Sequence, residues 1–145
     1  MIIICNKKAQ IRIAKVTIGV VTLIIGGLIY IIYRSETLLM FDWFRILGIS
    51  RYIDKLRATD YQNIYEWVKN SLPAGLWLFS YMFIIDSVWE KDKCIAYKFY
   101  IYVLPVFAVL SEFMQYIKIL PGTFDINDLL SYFFAILLYL LIKKL

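Results

Sequence analysis

Glu112 and Gln115 are three residues apart, and the turn over 120–128 (Leu-Pro-Gly-Thr-Phe-Asp-Ile-Asn-Asp) adds Asp125 and Asp128. Residues three apart are neighbours on one helical face. The turn then returns two carboxylates to the level of the first. Glu112, Gln115, Asp125 and Asp128 therefore converge as a candidate ligand-binding cluster. Acceptor-rich groups of this kind suit proton exchange or a cationic or hydroxyl-rich ligand. A structural role competes with that reading. Asp125 is a good N-cap, and Asp128 falls in the first turn that follows, where the helix dipole favours an acid.

Asp86 and Lys98 each lie near the end of an apolar run. An ionisable side chain inside a membrane span is costly and marks a candidate site. Asp86 is expected to form a structural ion pair with Lys98 or Lys93. Lys98 can also snorkel to the headgroups. The chain has no histidine, which excludes a Ser-His or Cys-His nucleophile pair. Its two cysteines, Cys5 and Cys94, are far apart and lack metal-ligand spacing. No catalytic residue, metal ligand or cofactor is assigned, and both thiols are expected to stay reduced. A carboxylate-only acid/base site and an alternating-access core without repeats are the weaker readings.

These residues need elements to hold them. The chain has 145 residues, enough for one domain. It is 62% hydrophobic, against roughly 45–50% for a soluble domain. Mean hydropathy is +0.71. A soluble fold this small leaves too much surface exposed to hide that much apolar area, so the lipid bilayer is its solvent. The net charge of +5 is spread between apolar runs, where it acts as a topology signal; nucleic acid is not an expected partner.

Four runs are long enough for membrane spans: 16–33, 72–89, 99–117 and 126–142. The first has no cleavage-like site after it and reads as uncleaved. The connection over 34–71 holds a weakly charged apolar stretch at 38–47, suited to shallow insertion, and an amphipathic stretch at 49–57. A short helix over 61–70, capped by Thr59 or Asp60, follows. The expected fold is all-α: an integral membrane bundle of four transmembrane helices, with one or two interfacial amphipathic helices between the first and second spans. Lys7, Lys8, Arg12, Lys15, Lys91, Lys93, Lys98, Lys143 and Lys144 fall on one side. The turn over 90–98 carries three of them, and that over 117–125 carries only Lys118. Both termini are thus expected in the cytoplasm. Trp89, Tyr97 and Tyr100 form the expected inner aromatic belt, and Tyr33, Trp77 and Tyr116 the outer one.

The pattern Glu112-x-x-Gln115, followed by Pro-Gly-Thr-Phe-Asp-x-x-Asp to Asp128, resembles the signature of VanZ-like bacterial membrane proteins. The resemblance covers about twenty residues and the span layout. On it, Glu112, Gln115 and Asp128 take the family's acidic and amide positions, and Asp125 a common extra acid. The chain departs at Gly122, where the family has Arg, and at Tyr132 and Ala135, where it has Asn and Gly. The resemblance implies an envelope protein in the bacterial inner membrane that binds a lipid-linked or antibiotic ligand. The competing expectation is a non-enzymatic oligomeric subunit or effector acting with a partner protein. Gly26–Gly27 offers such a protein one close-packing point.

Overall fold

The structure is a computed structural model and describes residues 2–57, 64–89 and 94–144. The expected caps Thr59 and Asp60, and Lys93, lie outside the described residues. Among those described there are seven helices and no strand. They are α1 (Ile2–Tyr33), α2 (Leu39–Ile46), α3 (Ser50–Arg57), α4 (Glu66–Asn70), α5 (Leu72–Val88), α6 (Ile95–Tyr116) and α7 (Ile126–Lys144).

Three helices, over Ala9–Tyr33, Ile95–Tyr116 and Ile126–Lys143, are long and apolar enough to cross a membrane. The expectation of four is corrected to three. The difference is α5, which has 17 residues. It extends roughly 26 Å at 1.5 Å per residue, short of a hydrocarbon core of about 30 Å. Its surroundings account for this. Leu78, Phe79, Met82 and Phe83 on α5 form the core with Tyr97 and Ile101 of α6 and Ala135 and Tyr139 of α7. A helix wrapped by protein has no need to match the thickness of lipid. The outer helices instead expose large apolar side chains, among them Ile24 and Leu28, Phe99 and Phe107, and Phe134 and Leu137.

Close approach of α1 to α5 rests on two glycines. A Cβ at Gly19 would lie 3.2 Å from the Ser80 carbonyl oxygen, and one at Gly26 would lie 2.8 Å from Trp77 Nε1. The Ser80 hydroxyl donates to the Gly19 carbonyl at 2.6 Å. Such small-residue contacts let membrane helices approach and bond across their backbones. Trp77, expected in the outer belt, instead covers Gly26 and packs on Tyr30. Gly27 meets nothing within 4 Å.

Helix ends set the turns. Gly48 (φ +71°) and Lys118 (φ +59°) both adopt left-handed backbone one residue beyond a helix C-cap. Gly48 N–H donates to Arg45 O, and Ile49 N–H to Phe44 O. Lys118 N–H donates to Gln115 O, and Ile119 N–H to Met114 O. Both are Schellman closures. α6 continues through the buried Pro105, as helices sheltered by neighbours can.

Gly26→Leu is expected to destabilise the protein by about 1–3 kcal/mol through overpacking. Gly27→Leu should stay within about 0.5 kcal/mol. Thermal unfolding in detergent checks both.

Candidate functional site

The bundle has two polar ends of different character. Lys15 pairs with Asp86, and Gly26 packs on Trp77, so α1 and α5 are antiparallel. Gly75 meets Ser131, and Phe83 meets Tyr139, so α5 and α7 are parallel. One end therefore gathers Lys15, Asp86, Tyr97 and Lys143. The other gathers Arg34, Ser71, Glu112 and Asp128.

At the lysine end, Asp86 is 1% exposed. An isolated carboxylate there would cost many kcal/mol. Here it is fully partnered. Lys15 Nζ lies 2.8 Å from Oδ2. The Tyr97 hydroxyl donates to Oδ1 at 2.7 Å, and Lys143 Nζ is 3.9 Å from the same oxygen. Lys143 also donates to the Tyr97 hydroxyl at 2.6 Å, and Tyr97 meets the Tyr139 hydroxyl at 3.3 Å. Lys143 lies over both tyrosine rings, 5.1 Å and 5.2 Å from their centroids. All four long helices contribute to this network. The expected Asp86–Lys98 pair is not formed. Lys98 follows buried Tyr97 on α6 and is exposed, so it points away from Asp86. Tyr97, expected in the aromatic belt, is a buried ligand of the carboxylate.

At the carboxylate end the expected cluster is brought together in part. Glu112 is 4% exposed and closes the buried stripe of α6 formed by Tyr97, Ile101 and Pro105. Its Oε2 accepts the Asp125 backbone N–H at 3.4 Å. Asp125 and Asp128 lie within electrostatic reach of it. Asp125 does what its cap position predicts: Oδ1 accepts the Asn127 backbone N–H at 2.8 Å and the Asn127 side chain at 2.9 Å. Gln115 packs instead against Gly122. A Cβ at Gly122 would lie 2.8 Å from Gln115 Nε2, and Gly122 has φ +137°. That backbone favours glycine over the Arg of the VanZ-like pattern.

Two polar atoms here lack hydrogen-bond partners although buried: Asp128 Oδ1 and Ser71 Oγ. Gly75 and Ser131 are in close contact, with a Cβ at Gly75 falling 3.0 Å from Ser131 Cβ. Ser71 and Asp128 each stand about one turn earlier on these parallel helices, which places them at one level. Ser71 is 0% exposed and occupies the N-cap position of α5, yet makes no capping bond. Its helical φ and ψ (−99°, −35°) and the absence of an N–H on Pro73 explain this. Arg34 Nε, at the end of α1, is a third buried atom without a partner. Sequence patterns pointed to neither Ser71 nor Arg34 as a site residue. The Ser-x-Pro spacing was the available signal for Ser71. Tyr132 interacts electrostatically with Asp128 and Glu112.

Among the described residues, no three His, Cys, Asp or Glu side chains gather as a metal site requires. Lys15→Met is expected to cost about 3 kcal/mol of stability, at the lower edge for a broken buried pair, because Lys143 remains. Lys98→Met should change stability by less than about 0.5 kcal/mol. Unfolding in mixed detergent measures both. No protein-family model, no curated protein and no solved structure matches the chain.

Proposed function

We propose that this chain is a VanZ-like protein of the bacterial envelope that binds an amine- or hydroxyl-bearing ligand, lipid-linked or antibiotic, at the carboxylate end. One observation carries the reading: Asp128 Oδ1 and Ser71 Oγ are buried without partners, near the buried Glu112. Buried polar atoms in native proteins are nearly always bonded; this end holds an open acceptor, Asp128 Oδ1, and two open donors, Ser71 Oγ and Arg34 Nε, so a group that both donates and accepts, as a hydroxyl does, fits it. An ionised carboxylate only accepts, which favours ammonium or hydroxyl groups. The missing Arg at Gly122 argues against a phosphate at that position.

Basic flanks at the lysine end favour the cytoplasm for that end, with the carboxylate end outside. If α1 and α6 both cross outward, α5 must return the chain between them. Its 17 residues do so inside the bundle, with α6 and α7 packed against its core face. Loss of one charge-assisted hydrogen bond costs about 1.5–3 kcal/mol, or roughly tenfold to a hundredfold in affinity. Native mass spectrometry of the purified chain with a glycopeptide antibiotic, and with a lipid-linked disaccharide-peptide, is the test. Glu112→Ala and Asp128→Ala are expected to weaken binding by that factor while still inserting into the membrane. Unchanged binding in both variants would overturn the proposal.

A second reading, an oligomeric subunit, is favoured by Gly27. It leaves a small-residue notch on the outer surface of α1, where another helix could pack closely. The same spectra read oligomeric state, and Gly27→Leu should abolish any dimer formed there.

A further inference from the structure

The connection between α1 and α5 builds a hairpin that the ligand site does not use. α2 and α3 have eight residues each, about 12 Å at 1.5 Å per residue. Neither can span a bilayer. Left-handed Gly48 stops α2 and reverses the chain.

Arg57 sets the level of the hairpin. Its guanidinium donates to the Ile31 carbonyl in the last turn of α1, pairs with Glu36 at 3.5 Å and lies 4.8 Å over the Phe41 ring. The apolar part of α1 ends at Tyr33. The hairpin is therefore held at the boundary where the hydrocarbon segment of α1 stops.

Each short helix divides into three sectors at about 100° per residue. On α2, Met40, Phe41 and Phe44 face the protein. Asp42 and Arg45, which pair with each other, form a second sector. Leu39, Trp43, Ile46 and Leu47 form the third, and all four are exposed. On α3, Ser50, Ile53 and Arg57 turn inward, Arg51, Asp54 and Lys55 form the charged sector, and Tyr52 and Leu56 are exposed. The tip carries Ile46 at 82% and Leu47 at 69% exposure. Exposed Tyr65 and Trp67 around α4 follow.

A helix in contact with protein, water and an apolar medium at once is suited to the plane where water meets lipid. Exposed Trp and Tyr at that level are the composition of an interfacial belt. We infer that the α2–α3 hairpin is an interfacial anchor, with Trp43, Ile46 and Leu47 inserted into the headgroup–acyl boundary of the adjacent leaflet. The inference is independent of the ligand at the carboxylate end.

The test uses the full chain carrying Cys5→Ser and Cys94→Ser, reconstituted in phosphatidylcholine vesicles. Nitroxides are attached at Ile46→Cys, Leu47→Cys and Lys55→Cys in turn. Ile46 and Leu47 are exposed, so the labels disturb no core contact, and each position tests the idea separately. Power saturation should show the Ile46 and Leu47 labels relaxed mainly by oxygen, at a depth of about 5–10 Å. The Lys55 label should be relaxed mainly by the aqueous nickel complex. Nickel access at Ile46 and Leu47 would overturn the anchor. Protection of both from oxygen and nickel would also overturn it, and would assign the face to a second copy or another protein.

Discussion

The arrangement of the four long helices depends on keeping one carboxylate, Asp86, ionised and bonded inside an apolar bundle. Its partners come from α1, α6 and α7. Sliding any of these helices along α5 would strand either the carboxylate or a lysine away from water. Apolar packing is non-directional and sets register poorly among helices that all expose apolar faces to lipid. The ionic network supplies the register, and Gly19, Gly26 and Gly75 allow the close approach that the register requires. A buried ion pair adds little net stability compared with an apolar replacement. Its contribution here is to specify one alignment.

Alignment at the lysine end fixes what meets at the other. With α5 and α7 parallel and in register, Ser71 and Asp128 fall at one level, and α6 brings Glu112 to them. The two ends then differ in bonding. Every polar group on Asp86 is used, whereas Asp128 and Ser71 each keep a buried atom without a partner. The lysine end is saturated and the carboxylate end is not. Unsatisfied groups reduce the stability of a fold, and binding sites are where such a deficit persists.

Much of this fold can be read from the residues. Long apolar runs marked α1, α6 and α7, and Asp125 announced the start of α7 through its cap chemistry. Local signals of that kind need only neighbours in sequence. The partners of Asp86 did not follow, because Lys98 is near in the chain while Lys15 and Lys143 are near only in space. Gly26 and Gly27 look alike as residues, and only the rotation of α1 shows that the first is covered and the second open. The length of α5 misled for a related reason: its apolar run is buried by protein, and apolar character alone does not distinguish protein from lipid. Glu112 stood out beside Gln115 on one helical face, and Asp128 through the turn that leads into α7. Ser71 did not, because its free hydroxyl follows from Pro73 withholding an N–H at the second helical position.

A carboxylate end that binds and a lysine end that holds the fold differ in what an acid-to-amide change does to stability. The decisive comparison is between the unfolding midpoints of Asp128→Asn and Asp86→Asn, measured side by side without ligand. Asp86→Asn is expected to lower the midpoint, while Asp128→Asn leaves it unchanged or raises it, since the neutral amide relieves like-charge repulsion beside Glu112. A fall for Asp128→Asn as large as that for Asp86→Asn would show that both ends are structural, and would contradict this division of roles.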